Sequence, residues 1–354
     1  MPSNPACIRP LPGGARLESL PLITLYLSER CNSRCVTCDY WRHGRADMTL
    51  ESVRRLLPSL RQLGTRTALI SGGEPLLNAQ WQAIAELLRA NGLSLWLLTS
   101  GLSLAKHARR AAELFNAITV SMDGTNRTTY AAIRGLDAFD KVCAGVRAAV
   151  DAGSPVGLRV TLQRSNFREL PEFVALARNL GVVALSFLAV DVSNPHAFGR
   201  TDDFAMDIAL RGEDLPVFDK LLAALEQDCA GDFRSGLIAE SPAKLRRIHQ
   251  YFAALLGQAP FPRVRCNAPE FSAVVTARGE VHPCFFISGP PDSSMQSELE
   301  GALNGEAMMS LRESIRTGSR PECARCVCSL WREPGQIAAA DFLPSSAPRE
   351  QQSA

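Results

Sequence analysis

Cys31, Cys35 and Cys38 stand close together in the run Cys31-Asn32-Ser33-Arg34-Cys35-Val36-Thr37-Cys38. This C-x3-C-x2-C spacing puts three thiols on one short loop, directly after the apolar run Leu22–Leu27. A structural zinc closes with four ligands, and a four-iron cluster ordinarily takes four cysteines. A cubane held by three leaves one iron without a protein ligand, open to a small molecule. Bound metal lowers a thiol's pKa, so such ligands are deprotonated at neutral pH. Asn32, Ser33 and Arg34 are small or polar, which suits a loop wrapped around an inorganic core. Zinc is the alternative occupant of the triplet.

Other reactive residue types stand at the ends of apolar runs. Ser71-Gly72-Gly73-Glu74-Pro75 follows one of them, and its two glycines let backbone approach a partner closely. Taken alone, an ordinary turn explains that segment equally well. In Ser121-Met122-Asp123-Gly124 a hydroxyl and a carboxylate two positions apart at a strand end point the same way. That suits a pair of ribose hydroxyls, or a helix-capping turn. Arg159 lies within another run, where its fork matches a carboxylate bidentately or merely faces outward. A second thiol group reads Cys266-x12-Gly279-x4-Cys284, then Cys323-x2-Cys326-x-Cys328. Cys266, Cys284, Cys323 and Cys326 are the expected ligands of a second cubane. A zinc knuckle of the same four is the alternative, and Cys328 either replaces Cys326 or is a spare thiol. Of the histidines only His282, beside Pro283-Cys284, falls near such a group; His43, His107, His196 and His249 have no metal-site spacing.

The elements that position these residues are legible in the pattern. Strand-like runs cover Leu22–Leu27, Thr67–Ile70, Leu93–Leu98, Ala117–Ser121, Val156–Leu162 and Val183–Ala189. Helical patterns lie between them at 49–63, 78–91, 103–114, 127–152 and 168–180, with Thr49 as a cap and Gly64, Gly92, Gly153 and Gly181 closing segments. Six strands alternating with helices predict a parallel sheet of βαβ units, two strands short of a complete barrel. In such folds the reactive loops follow the strand C-termini, where every motif before residue 130 falls. Beyond residue 191 the alternation stops. A loop to 210, helices at 213–228 and 240–257, a hairpin of Phe271–Thr276 with Glu280–His282, and a helix at 304–317 are expected, followed by a frayed tail.

Composition sets the outer bounds. Apolar residues are 46% and charged residues 21% of the chain, as in an ordinary globular protein. A net charge of +2 exerts no strong pull toward nucleic acid or anionic membrane, so neither is expected as a partner. No apolar stretch is of membrane-spanning length and no signal-peptide core opens the chain, so a cytoplasmic location is expected. Seven of 11 cysteines fall in the triplet and the quartet, which in a reducing compartment favours ligation over disulfides. Cys143 reads as a small core residue, and Cys7 and Cys229 carry no further signal.

The cysteine triplet, the Gly72-Gly73-Glu74-Pro75 segment and Ser121-x-Asp123 together resemble the radical S-adenosylmethionine (SAM) enzymes. The resemblance implies an α/β fold, a partial (β/α)6 barrel over residues 20–210 after an extension at 1–19. It assigns Gly72, Gly73 and Glu74 to the amino group of SAM, and Ser121 and Asp123 to its ribose. Thr99-Ser100-Gly101 is similar to the family's T-N-G, with Ser100 in place of Asn. Arg159 and Asn166 resemble positions near the methionine carboxylate and the adenosine, and Arg134-Gly135 matches a family segment without an evident role. A helical linker at 211–260 then leads to a small C-terminal α+β domain at 261–333. This domain resembles the twitch form of the SPASM extension with one auxiliary [4Fe-4S] cluster, and a flexible tail occupies 334–354.

By the same resemblance, SAM chelates the open iron of the first [4Fe-4S] cluster. One electron from an external flavodoxin- or ferredoxin-like donor splits it to methionine and a 5′-deoxyadenosyl radical, which takes a hydrogen atom from substrate. A four-cysteine auxiliary cluster has no free site, so it reads as an electron conduit in a net oxidation. A peptide served by a separate leader-binding partner, and a sugar or aminocyclitol alcohol, are both compatible substrates. A molybdopterin-type cyclase is disfavoured by the missing C-terminal Gly-Gly. The rival reading from another class is a non-catalytic zinc or iron–sulfur binding protein.

Overall fold

The computed structural model describes residues 16–192, 194, 197–200, 206–294, 298–333 and 337. Cys7, His196 and the expected frayed tail, Ile337 excepted, lie outside them. The first part alternates as the pattern requires: β1 (Leu22–Ser28), α1 (Tyr40–His43), α2 (Leu50–Gln62), β2 (Thr67–Gly72), α3 (Trp81–Ala90), β3 (Ser94–Thr99), α4 (Leu104–Leu114), β4 (Ala117–Ser121). It continues with α5 (Arg127–Arg134), α6 (Phe139–Asp151), β5 (Val156–Leu162), α7 (Leu170–Leu180) and β6 (Ala184–Ala189). Then come α8 (Leu215–Asp228), α9 (Ala230–Ser235), α10 (Pro242–Leu255), β7 (Ser272–Val275), β8 (Val281–His282), α11 (Leu299–Asn304), α12 (Glu306–Arg316) and α13 (Pro321–Ala324). Among the described residues no helix is long and apolar enough to cross a membrane.

β1 to β6 pair in parallel, each with the next in sequence. Side-chain alternation divides the two faces of this sheet. Ile23, Leu25 and Leu27 of β1 join Val53, Leu56 and Leu60 of α2 under the helical layer. Leu22 and Leu69 face the other way, onto Ala268, Phe271 and the partly buried Cys266, Phe285 and Leu330. The C-terminal segment therefore lines the inner face of the barrel. Thr49 caps α2 through Ser52 N at 3.0 Å, and Ser241 caps α10 through Lys244 N at 3.3 Å.

Two expectations change. The hairpin does not stand apart: β7 pairs in parallel with β1 and antiparallel with β8. The sheet thus has eight strands in the order β6-β5-β4-β3-β2-β1-β7-β8. The pattern at 127–152 is two helices, α5 and α6, because Gly135 turns the chain at φ 73°. A side chain there would put Cβ 2.3 Å from the Arg34 carbonyl. The break marks the point where the chain touches the cysteine loop.

Candidate functional site

The cysteine loop leaves β1 at Ser28 and is clamped from both sides. Gly73 N donates to Ser28 O at 2.7 Å and Glu74 N to Arg30 O at 2.8 Å. Arg30 reaches Asp47 through Nε at 3.2 Å and Leu77 O through Nη2 at 2.7 Å. Glu29 takes the Arg278 fork at 2.7 and 2.9 Å, which ties the loop to the β7–β8 turn. On the far side Arg34 N donates to Arg134 O at 2.9 Å and Val36 N to Ile133 O at 3.0 Å. Arg200 holds Thr37 O at 3.2 and 3.1 Å.

The glycine pair serves this packing. A Cβ on Gly73 would stand 2.4 Å from Arg30 O, and one on Gly72, at φ +119°, 2.4 Å from Ser28 O. The close approach is between the β2 end and the backbone that carries the thiols. We therefore expect Gly73→Ala to displace the loop and to lower bound iron toward about half of the wild-type content, the share of one of two cubanes, read by metal analysis.

The three thiols form no disulfide, and among the described residues no three Cys, His, Asp or Glu side chains are already gathered as a metal ion would hold them. Burial pushes Cys38 up to about 12, with the Cys35 and Cys31 thiols adding to it. Burial likewise takes Cys31 up to about 11. Cys35 is raised by burial, with Arg134 pulling the other way. A bound metal would take these thiols in their thiolate form. Within their loop the wholly buried Ser33 hydroxyl has no hydrogen-bond partner among the described residues, and neither does Arg134 Nε. This donor set fits an iron–sulfur core, whose sulfides accept hydrogen bonds.

Glu74 is fully buried and receives Thr99 Oγ1 at 2.9 Å, Ser100 N at 2.7 Å and Leu76 N at 3.1 Å. It joins the β2 loop to the β3 loop. Ser100, where the family has Asn, donates to Asn32 Oδ1 at 3.0 Å and so steadies the cysteine loop itself. Ser121 sits opposite Arg159 in the β4–β5 register. Asp123 accepts Thr161 N at 2.8 Å on one oxygen and Arg134 Nη1 at 3.1 Å on the other. Asn166 donates to the Asp123 and Thr161 carbonyls, both at 3.0 Å, and accepts from Gln163 N at 2.9 Å. Both Asp123 and Asn166 hold the β4 and β5 loops in shape.

The structure thus gathers Cys31, Cys35, Cys38, Gly72, Gly73, Glu74, Thr99 and Asp123 around one loop cluster. Arg159 is placed differently. Its guanidinium lies 6.0 Å from the Trp96 ring and bears on Cys328 among the C-terminal thiols.

Those thiols are likewise free of disulfides and bear on one another electrostatically. Cys284, pushed by burial up to about 12, is raised further by Cys266 and Cys323. Cys326, raised well above its ordinary value by burial, meets Cys328, Cys266 and Cys284. Cys328, buried and pushed up to about 11, faces Cys266 as well, so the expected four have a fifth beside them. Asn267 stitches the two halves together, its N donating to Leu330 O at 3.0 Å and its side chain to Arg332 O at 2.8 Å. Between the two thiol groups lies Tyr26, its ring 6.0 Å from Tyr40 and 6.4 Å from Phe285. Tyr26, Tyr40, Glu29, Glu280 and His282 line a cleft of about 290 Å³.

Two residues gain a place that sequence reasoning did not supply. Tyr26 was legible only as one member of an apolar run. Arg134 stood out by its pairing with Gly135, but its contact with the thiols depends on the fold of α5.

Residues 25–177 match the sequence profile of the Radical SAM superfamily. The chain is 33% identical over 174 residues to the pre-heme d1 synthase of Dinoroseobacter shibae, covering 48% of this chain and 43% of that protein. It therefore spans less than half the length of that curated relative. It is 22% identical over 336 residues to the Fe-coproporphyrin III synthase of Methanosarcina barkeri, covering 87% and 81%. Among solved structures, Streptococcus suis SuiB bound to its precursor peptide SuiA superposes with a TM-score of 0.63 at 12% identity, over 95% of this chain and 76% of that one. At that identity the likeness is one of fold.

Proposed function

We propose, from the premise that this chain is an enzyme of the radical SAM superfamily by its residues 25–177, that it cleaves SAM reductively and uses the product radical to oxidise a small metabolite. Cys31, Cys35 and Cys38 would hold the [4Fe-4S] cluster, which when bound supplies the electron and the open iron that the sulfonium needs. The observation that carries this reading is that Gly72–Glu74 and the end of α5 hold in place the one short loop that bears Cys31, Cys35 and Cys38.

The protein's own part is to hold and to exclude. Glu74, anchored by Thr99 and Ser100, fixes the loop wall beside the thiols. Ser121 and Thr99 end β4 and β3, where a methionine carboxylate and a ribose would lie. The C-terminal segment covers the inner face of the sheet and keeps water from it. Cys266, Cys284, Cys323 and Cys326 would hold the auxiliary cluster that accepts the second electron of an oxidation, with Cys328 alongside. The cleft lined by Tyr26, Tyr40 and His282 would admit the substrate. A small metabolite is favoured over a peptide because Fe-coproporphyrin III synthase, a small-molecule enzyme by name, aligns over most of this chain.

Anaerobically reconstituted protein given SAM and a strong one-electron reductant should form 5′-deoxyadenosine and methionine in equal amounts. It should contain about eight irons per chain if two cubanes are present. Four irons with one zinc would remove the auxiliary cluster from this reading, and absence of deoxyadenosine would remove the reading itself.

A further inference from the structure

Arg134 is a charged residue for which the proposed reaction gives no task. It ends α5, is 8% exposed, and lies against the cysteine loop through its own carbonyl, which accepts Arg34 N at 2.9 Å. Nη1 donates to Asp123 at 3.1 Å, in an ion pair whose side chains are 10% and 3% exposed, and the Tyr130 side chain also bears on the guanidinium. Its Nε is buried with no partner among the described residues. Arg134 is the cation that bears on all three thiols, whereas Glu74 bears on Cys31 and Asp123 on Cys35 as anions.

We propose that Arg134 is the countercharge of the Cys31–Cys35–Cys38 set, a positioning residue that sets how readily a cluster held there accepts one electron. The inference rests on the reading above. Electron uptake adds negative charge beside three thiolates in a poorly screened interior. A fixed cation there stabilises the reduced form more than the oxidised form, and charge and hydrogen bonding near the sulfurs are recognised levers on cluster potential. Asp123 fixes the guanidinium and offsets part of its charge, so the two residues act with opposite sign.

The test is an EPR-monitored redox titration of anaerobically reconstituted full-length protein without SAM, following the signal that Cys35→Ala protein lacks. Arg134→Gln should shift the midpoint to more negative potential. At the wild-type midpoint its reduced fraction should fall from one half to about a tenth, since a tenfold change in a one-electron equilibrium is about 59 mV. Arg134→Lys should restore most of the shift, and Asp123→Asn should move the midpoint the other way. Equal midpoints in Arg134→Gln and wild type would overturn the proposal, even if the affinity for SAM fell. If Arg134→Gln takes up no iron, Asp123→Asn decides: a raised midpoint supports the countercharge and an unchanged one refutes it. Absence of the signal from wild-type protein would instead remove the cluster, and with it the functional reading.

Discussion

Cys35→Ala protein is expected to form no detectable 5′-deoxyadenosine from SAM while keeping the iron of the proposed C-terminal cluster. Cys35 is the middle cysteine of the loop, with Cys38 N and Trp41 Nε1 both directed to its carbonyl, at 3.4 Å each. Removing its sulfur leaves two thiols, too few for a cubane. The loop itself stays tied at Gly73, Glu74 and Arg134, so the fold should survive. The iron count should fall from about eight to about four per chain. Full iron with lost activity would mean that Cys35 is not a ligand.

Asp123→Ala is expected to have the largest effect on stability. It leaves the buried Arg134 guanidinium without its ion-pair partner and Thr161 N without its acceptor. Breaking a buried pair on one side costs about 3–5 kcal/mol, far more than an exposed pair at up to about 1 kcal/mol. Exposed pairs such as Arg54–Glu51 should therefore be nearly silent when removed. Asp123→Asn keeps an acceptor for Thr161 N and should cost less than Ala. Denaturant unfolding of the three proteins orders them; equal stabilities would show that the pair does not organise the β4 and β5 loops.

The barrel half was legible because its signals are local. Ala117–Ser121 and Val156–Leu162 are bounded by turn residues and occur as read. The cysteine triplet and the Gly72–Glu74 segment lie on loops that follow such strands, so their meeting follows from the order of elements. What was not legible depends on contacts remote in sequence. β7 is four residues long, and only its pairing with Leu22–Leu25 makes it part of the barrel sheet. The split at Gly135 arises where α5 meets Arg34, about a hundred residues earlier in the chain. The electrostatic influence of Arg159 on Cys328 likewise depends on how the C-terminal segment folds back under the sheet. A buried cation has no periodicity to betray it, so the position of Arg134 emerged only with the fold.

The most direct test is the EPR spectrum of the dithionite-reduced, reconstituted enzyme recorded with and without SAM. A centre held by Cys31, Cys35 and Cys38 alone should change its g-values when SAM is added, and Cys35→Ala protein should show no such change. A reduced N-terminal centre whose spectrum is indifferent to SAM would contradict the open coordination position.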